Sequence, residues 1–172
     1  MTVLEVIKKR RSIRRFDSTK KVTDEQIEKL LEAARWAPSA GNLQSWYFVI
    51  VRDQEIKKEL ADAALDQDFI AQAPVVIVSC ADLERSAIRY GNRGSSLYAI
   101  QDATIATQNL WLVATDMGLA SVWVGAFNED KVSQILNLSS HLRPLAILPI
   151  GYPAESPSPP SRRSVKEISR KV

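Results

Sequence analysis

The sequence predicts a fold that mixes helices with strands, and three observations carry this expectation. Four runs rich in aromatic and β-branched residues, Trp46–Val51, Val75–Cys80, Ala120–Phe127 and Leu145–Pro153, have the length and composition of strands. Between them, capping signals precede apolar residues at helical spacing. Hydrophobic residues make up 45% of the chain and charged residues 25%, an ordinary globular balance. At 172 residues one domain is expected, residues 1–172, with an extended tail over about 154–172 and a core large enough to need no disulfide or metal staple.

Each element has a local reason. Thr2 and Glu5 fit a capping box, and Val3, Leu4 and Ile7 give a short first helix an apolar face that runs into a basic cluster. Thr23 and Gln26 repeat the signal for a second helix with Ile27, Leu30, Leu31 and Ala34, which should stop before Pro38 because the residue before a proline avoids the α region. APSAGNLQSW, Ala37–Trp46, reads as a loop that leads into the first strand. Asp53 caps a helix over about 54–64, a second helical piece follows near Asp66–Gln72, and Pro74 opens the apolar run VVIVSC. The longest helical pattern covers about Ser96–Met117, ends at Gly118, and carries apolar groups on more than one face, as a central or interface helix does. Ala120–Phe127 should be a strand leading into a tight glycine loop, Asn128 caps a short helix to about Leu138, and Pro149 marks the last strand as an edge or a bulge. SPSPP, Ser156–Pro160, is a stiff connector that carries Arg162 and Arg163 onward.

Charge is concentrated at the two ends. Residues 8–21 hold eight Lys/Arg against Asp17 and residues 161–172 hold five against Glu167, so a total of +3 leaves −8 on the rest of the chain. A nucleic-acid binder would be basic over a whole face. Two basic ends suit a compact anion instead. No apolar run approaches the roughly 20 residues of a membrane span, and the first fifteen residues are too basic for a signal peptide, so a cytoplasmic protein is expected. Cys80, the single cysteine, reads as a buried strand thiol, and His141, the single histidine, as a surface or capping residue. With so little His and Cys, a zinc site or a Ser-His or Cys-His nucleophile is hard to assemble, and neither YGNRG nor WVGAF forms a dinucleotide or Walker fingerprint. An enzyme with this inventory relies on a bound cofactor, and no catalytic side chain and no metal ligand is assigned.

The residues point to a phosphate-bearing cofactor. In RRSIRRF, Arg10–Phe16, alternate residues of an extended segment share a side, so Arg10, Ser12 and Arg14 converge on one phosphate while Arg11 and Arg15 face elsewhere. Asn42 and Gln44 supply planar polar partners for an amide-rich ring, and Val124, Gly125 and Ala126 supply main-chain N–H groups.

RRSIRRF, APSAGNLQSW, GLASVWVGAF and PIGYP, in that order and followed by a basic pair, resemble the flavin-dependent nitroreductase family, in a short form that also carries QAPVVIV and RYGNRGSSLYAIQDAT. The resemblance implies an α+β fold of three layers, α/β/α, around a central, largely antiparallel sheet, and an intertwined homodimer with two FMN sites at its interface. It places Arg10, Arg11, Ser12 and Arg14 at the phosphate and ribityl chain, helped by Arg162 or Arg163, and so keeps Arg11 where alternation turns it away. It implies a loop from the other subunit with Pro38, Ser39, Asn42 and Gln44, the main chain of Val124, Gly125 and Ala126 near the flavin N5, and Gln67 at the pyrimidine edge. It departs from the family at Ser45, where many members have proline and a looser loop is expected, and at Ala120, where a second glycine is usual. The implied activity passes electrons from NAD(P)H through FMN to a small acceptor such as a nitroaromatic or quinone. Candidates for acceptor selection are Tyr90, Arg93 and Phe127, with little sequence between Cys80 and Ser95 for a lid. Dehalogenation or flavin destruction would share the same FMN contacts, a flavin sensor would use them without turnover, and a basic phosphate- or nucleic-acid-binding protein is the rival from another class.

Overall fold

Three antiparallel strands, β1 (Trp46–Val51), β2 (Val75–Asp82) and β3 (Leu142–Ile150), lie in the order β1-β2-β3 in a computed structural model that describes all residues, 1–172. Trp46 faces Ala81 across β1/β2 and Val75 faces Ile150 across β2/β3, with a bulge at Ser79/Cys80. The central strand is buried on both faces, and its alternation decides which layer each residue meets. Val75 and Ile77 join Ile27, Leu30, Leu110 and Leu148 on one side, whereas Val76 and Val78 join Leu60, Ile70, Val132 and Ile147 on the other. Full burial of each Leu or Ile is worth about 1.5–3 kcal/mol, so the two apolar layers fix the register.

The first layer holds α1 (Val3–Lys9), α2 (Asp24–Arg35) and the long α6 (Ala99–Asp116); the second holds α3 (Gln54–Ala63), α4 (Phe69–Gln72) and α7 (Glu129–Ile135). Both expected capping boxes form, at Thr2/Glu5 and Thr23/Gln26, and Asp53 and Asn128 cap α3 and α7 as read from the sequence. A buried Ser79–Thr107 hydroxyl pair at 2.6 Å ties β2 to α6.

Two expectations are corrected and one unassigned stretch is filled. Ala120–Phe127 is not a strand: it meets β3 only at Ala120/Gly151 and Val124/Ile147. Those two pairings put Val122 opposite Pro149, whose missing N–H interrupts the ladder between them. The unassigned stretch after β2 is a helix, α5 (Leu83–Arg93), capped by Asp82 and joined to α6 by a π-helical turn at Gly94–Tyr98. Its signal was hidden by polar residues and by Gly91, which takes φ +53. Gly94 is the close approach in this corner, since a Cβ there would lie within 2.7 Å of the Ser86 carbonyl carbon. Second, the tail past Gly151 is not wholly irregular but ends in a short α8 (Val165–Ile168) with its own capping box, exposed like the rest of residues 156–172.

Candidate functional site

The segment Arg10–Phe16 leaves α1 extended and lies across the end of the sheet. Ile13 is buried and donates its N–H to the Ser121 carbonyl at 3.0 Å, Ser12 bridges Ser121, and Phe16 bridges Pro153. Anchoring Ile13 turns its neighbours outward, and each arginine then meets a different partner. The Arg10 guanidinium lies 4.2 Å above the Trp111 ring of α6, a cation–π contact. Its Nη1 is buried without a hydrogen-bond partner, and so is Trp111 Nε1. Burial first, and then the charges of Arg162 and Arg11, push the Arg10 guanidinium below its ordinary pKa. A partly desolvated cation with one buried, unpaired donor beside two further cations is unfavourable unless an anion completes it.

Arg11 does something else. Its Nη1 donates to the carbonyls of Lys8, Lys9 and Arg10 at 2.7, 3.3 and 2.8 Å, closing the C-terminus of α1 where positive charge is favoured. Strand alternation therefore describes Arg11 better than the grouping with Arg10. Arg14 sits 5.9 Å over the Phe69 ring at the start of α4. The main-chain N–H groups of Arg14 and Arg15 both donate to Glu155 Oε1, at 2.5 and 3.2 Å, which fastens the start of the tail here. From that point the tail brings Arg162 close enough to Arg10 to affect its proton affinity, while Arg163 donates to the Glu167 carbonyl.

Gln67 and the Val124–Ala126 loop belong to this same flank. Gln67 Nε2 donates to the carbonyls of Ala64 at 2.7 Å and Ala126 at 3.3 Å, and Asn128 N donates to Ala63 O at 2.9 Å. Val124 is buried against β3, and Gly125 and Ala126 emerge exposed from it.

The Pro38–Ser45 loop lies elsewhere. Gly41, Asn42 and Gln44 all take positive φ, near +57, in a turn held by Gln44 N donating to Ser39 Oγ at 2.9 Å. Asn42 and Gln44 side chains stand in solvent, joined only by long 3.4 Å contacts. Asp102 of α6 anchors the loop by accepting Ala40 N at 3.0 Å, while its second oxygen is buried without a partner; the residue also borders a cleft of about 570 Å³ lined by Pro38, Ser39, Tyr98 and Ile105 among others. Ser45 does not loosen this loop: it is wholly buried and its carbonyl accepts Asp82 N at 3.2 Å, although its hydroxyl has no partner.

The residues named from the sequence therefore form two groups. One surrounds Trp111 and the other Asp102, nine positions earlier on α6. Nine residues correspond to about 13–14 Å of rise and to half a turn, so the groups lie on opposite flanks of the helix's buried arc. Trp111, Phe69, Asp102 and Glu155 were missed by sequence reasoning. Asp102 had a signal, as the one acid within an otherwise uncharged run from Ala99 to Thr115. Cys80 is buried, with its thiol pushed up to about 12 by desolvation, and His141 lies at the surface 3.8 Å from Glu84; neither approaches the two groups.

The sequence profile of the Nitroreductase family matches residues 7–68 and 64–152. A Methanothermobacter thermautotrophicus protein provisionally named NADH dehydrogenase/NAD(P)H nitroreductase is 38% identical over 161 residues, covering 91% of this chain and 80% of its own. Among solved structures, a nitroreductase family protein from Streptococcus pneumoniae superposes with a TM-score of 0.88 at 29% identity, over 98% of this chain and 99% of its own. The NADPH:FMN oxidoreductase of Vibrio harveyi, solved with NAD+, gives 0.90 at 29% identity, over 98% of this chain and 76% of its own. The three-layer α+β architecture is the nitroreductase fold, and the chain belongs to the nitroreductase family.

Proposed function

We propose that the protein is an FMN-dependent NAD(P)H oxidoreductase acting on small organic acceptors such as nitroaromatics or quinones, as one domain over residues 1–172. The observation that carries this reading is Arg10, a half-buried guanidinium whose Nη1 is buried and unpaired, stacked on Trp111 and approached by Arg162. A phosphate monoester fits that environment, because it supplies acceptor oxygens to stranded donors and charge to clustered cations. Relatives named as NAD(P)H nitroreductase and NADPH:FMN oxidoreductase support the cofactor and the donor.

Arg10, Ser12 and Arg14 hold the phosphate end, with Arg162 from the tail and with Arg11 keeping the end of α1 in place. Gln67 and the main chain of Val124, Gly125 and Ala126 border the ring on the same flank. Pro38, Ser39, Asn42 and Gln44 reach the ring from a second copy, since half a turn of α6 separates them from Arg10 within one chain. This reading makes the protein a homodimer with two sites at its interface. FMN supplies hydride acceptance and return at N5. The protein's own share is to bind and orient: guanidiniums neutralise the phosphate, N–H groups donate to the ring edge where charge develops on reduction, and the loop excludes water. No side-chain acid or base is required. No helix is long and apolar enough to cross a membrane, and a cytoplasmic location accords with the free buried thiol of Cys80.

The test is the absorption spectrum of the purified protein, followed by anaerobic addition of NADH or NADPH. A flavin spectrum that bleaches on donor addition is expected. Colourless protein that FMN neither saturates nor stabilises against heat contradicts the reading.

A further inference from the structure

Helix α5 carries Arg85, Arg89 and Arg93 in a chain whose remaining middle is acidic, and all three are exposed. None lies within 4.0 Å of a carboxylate, whereas Lys20, Arg35, Arg52, Lys58 and Arg143 each have an acidic partner. Arg85 is occupied structurally, its Nε donating to the Leu43 carbonyl and binding α5 to the Pro38–Ser45 loop. Arg89 and Arg93 are held in place with their charge unmatched. The Arg89 guanidinium lies 5.6 Å over Tyr90, and that of Arg93 5.3 Å over Tyr98, with Arg93 Nε donating to Tyr98 Oη at 2.9 Å. The two tyrosines meet edge to face at 5.1 Å, which fixes the platform. Gly41 brings this platform against the loop: a Cβ there would lie 2.6 Å from Tyr90 Oη and 2.9 Å from Arg89 Nη1.

We infer that Arg89 and Arg93, on their tyrosine platform, bind the diphosphate of the nicotinamide dinucleotide donor. The inference rests on the oxidoreductase reading above, in which Asn42 and Gln44 of this loop border the flavin ring. A donor seated with its nicotinamide at the ring runs its phosphates outward, and α5 is the element that borders the loop there. Held guanidiniums recognise phosphoryl oxygens through paired N–H donors, and stacking reduces the side-chain freedom lost on binding. The cofactor's own phosphate is not a competitor for this place, because Arg10 lies on the other flank of α6. Two residues are also too short a footprint for nucleic acid.

The test compares the holoenzyme with Arg89→Gln/Arg93→Gln, using NADPH, NADH and the phosphate-free donor dihydronicotinamide riboside, with a quinone at saturation. The variant's KM for NADPH and NADH should rise about tenfold or more, as expected for lost charge-assisted hydrogen bonds. Its KM for the riboside, its KM for the quinone and its retained flavin should stay within about twofold, and Arg89→Lys/Arg93→Lys should recover part of the loss. A Lys58→Gln/Lys131→Gln control, which removes two charges from α3 and α7, should leave all three donors unchanged. The inference is overturned if the dinucleotide KM values do not move, if the riboside KM rises equally, or if the control behaves like the variant. Wild-type holoenzyme that accepts electrons from neither NADPH nor NADH overturns the oxidoreductase reading along with it.

Discussion

The two flanks of α6 treat buried charge in opposite ways. On the Trp111 flank a guanidinium is stranded: Arg10 is partly desolvated, stacked on an indole, and short of an acceptor. On the Asp102 flank a carboxylate is stranded: one oxygen anchors Ala40 N and the other has no donor. Cation and anion do not meet within the chain, because half a turn and about 13–14 Å of helix separate them. The first flank is built from segments distant in sequence, residues 10–16, 67–69, 124–126 and 162, gathered on the sheet's end. The second is a single strained loop pressed against α5. The difference teaches that the two groups of candidate residues face different directions within one chain, which is why the proposed reading calls on a second copy to unite them.

The largest effect that would sharpen this contrast is on the Trp111 flank. Trp111→Ala removes a side chain only 6% exposed and should lower stability by about 3–5 kcal/mol, seen as a fall in Tm of the apoprotein. Trp111→Phe keeps a ring beneath Arg10 and should cost far less. Next, Arg10→Ala should weaken FMN binding by about 2–3 kcal/mol, read from flavin fluorescence titration, while Arg15→Ala changes it less than threefold. Equal effects would reduce the flank to overall charge.

On the loop flank the effects are smaller and structural. Gly41→Ala puts a Cβ at φ +58, 2.6 Å from Tyr90 Oη, and should cost about 1–2 kcal/mol with faster amide exchange confined to the loop and α5. Asp102→Ala should cost about 1–3 kcal/mol by stranding Ala40 N. Asp102→Asn keeps an acceptor and removes a buried charge, so thermal unfolding should place it within about 1 kcal/mol of wild type. If Asp102→Asn proves as damaging as Asp102→Ala, the unpartnered oxygen has a partner that the isolated chain lacks.

Much of this was legible in the sequence where the cause is local. Thr2, Thr23, Asp53 and Asn128 announced their helices because a cap is decided within three residues. The strands of Trp46–Val51 and Val75–Cys80 followed from residue type and length. One failure came where a distant residue decides. Pro149 prevents a continuous strand at Ala120–Phe127 although it lies far along the chain, beyond α7, and no pattern within that segment foretells it. Helix α5 was missed although Asp82 caps it locally, because its sequence is largely polar and Gly91, at φ +53, interrupts it. Within the candidate site, residue types were legible and their grouping was not. Alternation separated Arg11 from Arg10, but only the fold puts Trp111 beneath one flank and Asp102 behind the other.

The claim that one functional site needs both flanks, from two copies, is tested most directly by mixing two defective chains. Arg10→Ala damages the phosphate flank and leaves the loop intact; Asn42→Ala/Gln44→Ala does the reverse. After equimolar unfolding and refolding together, half the dimers are mixed, and each mixed dimer holds one site with both flanks intact. Flavin content and NAD(P)H-driven activity of the mixture should recover to about a quarter of wild type. Activity equal to the mean of the two parents would contradict the account and place the whole site within a single chain.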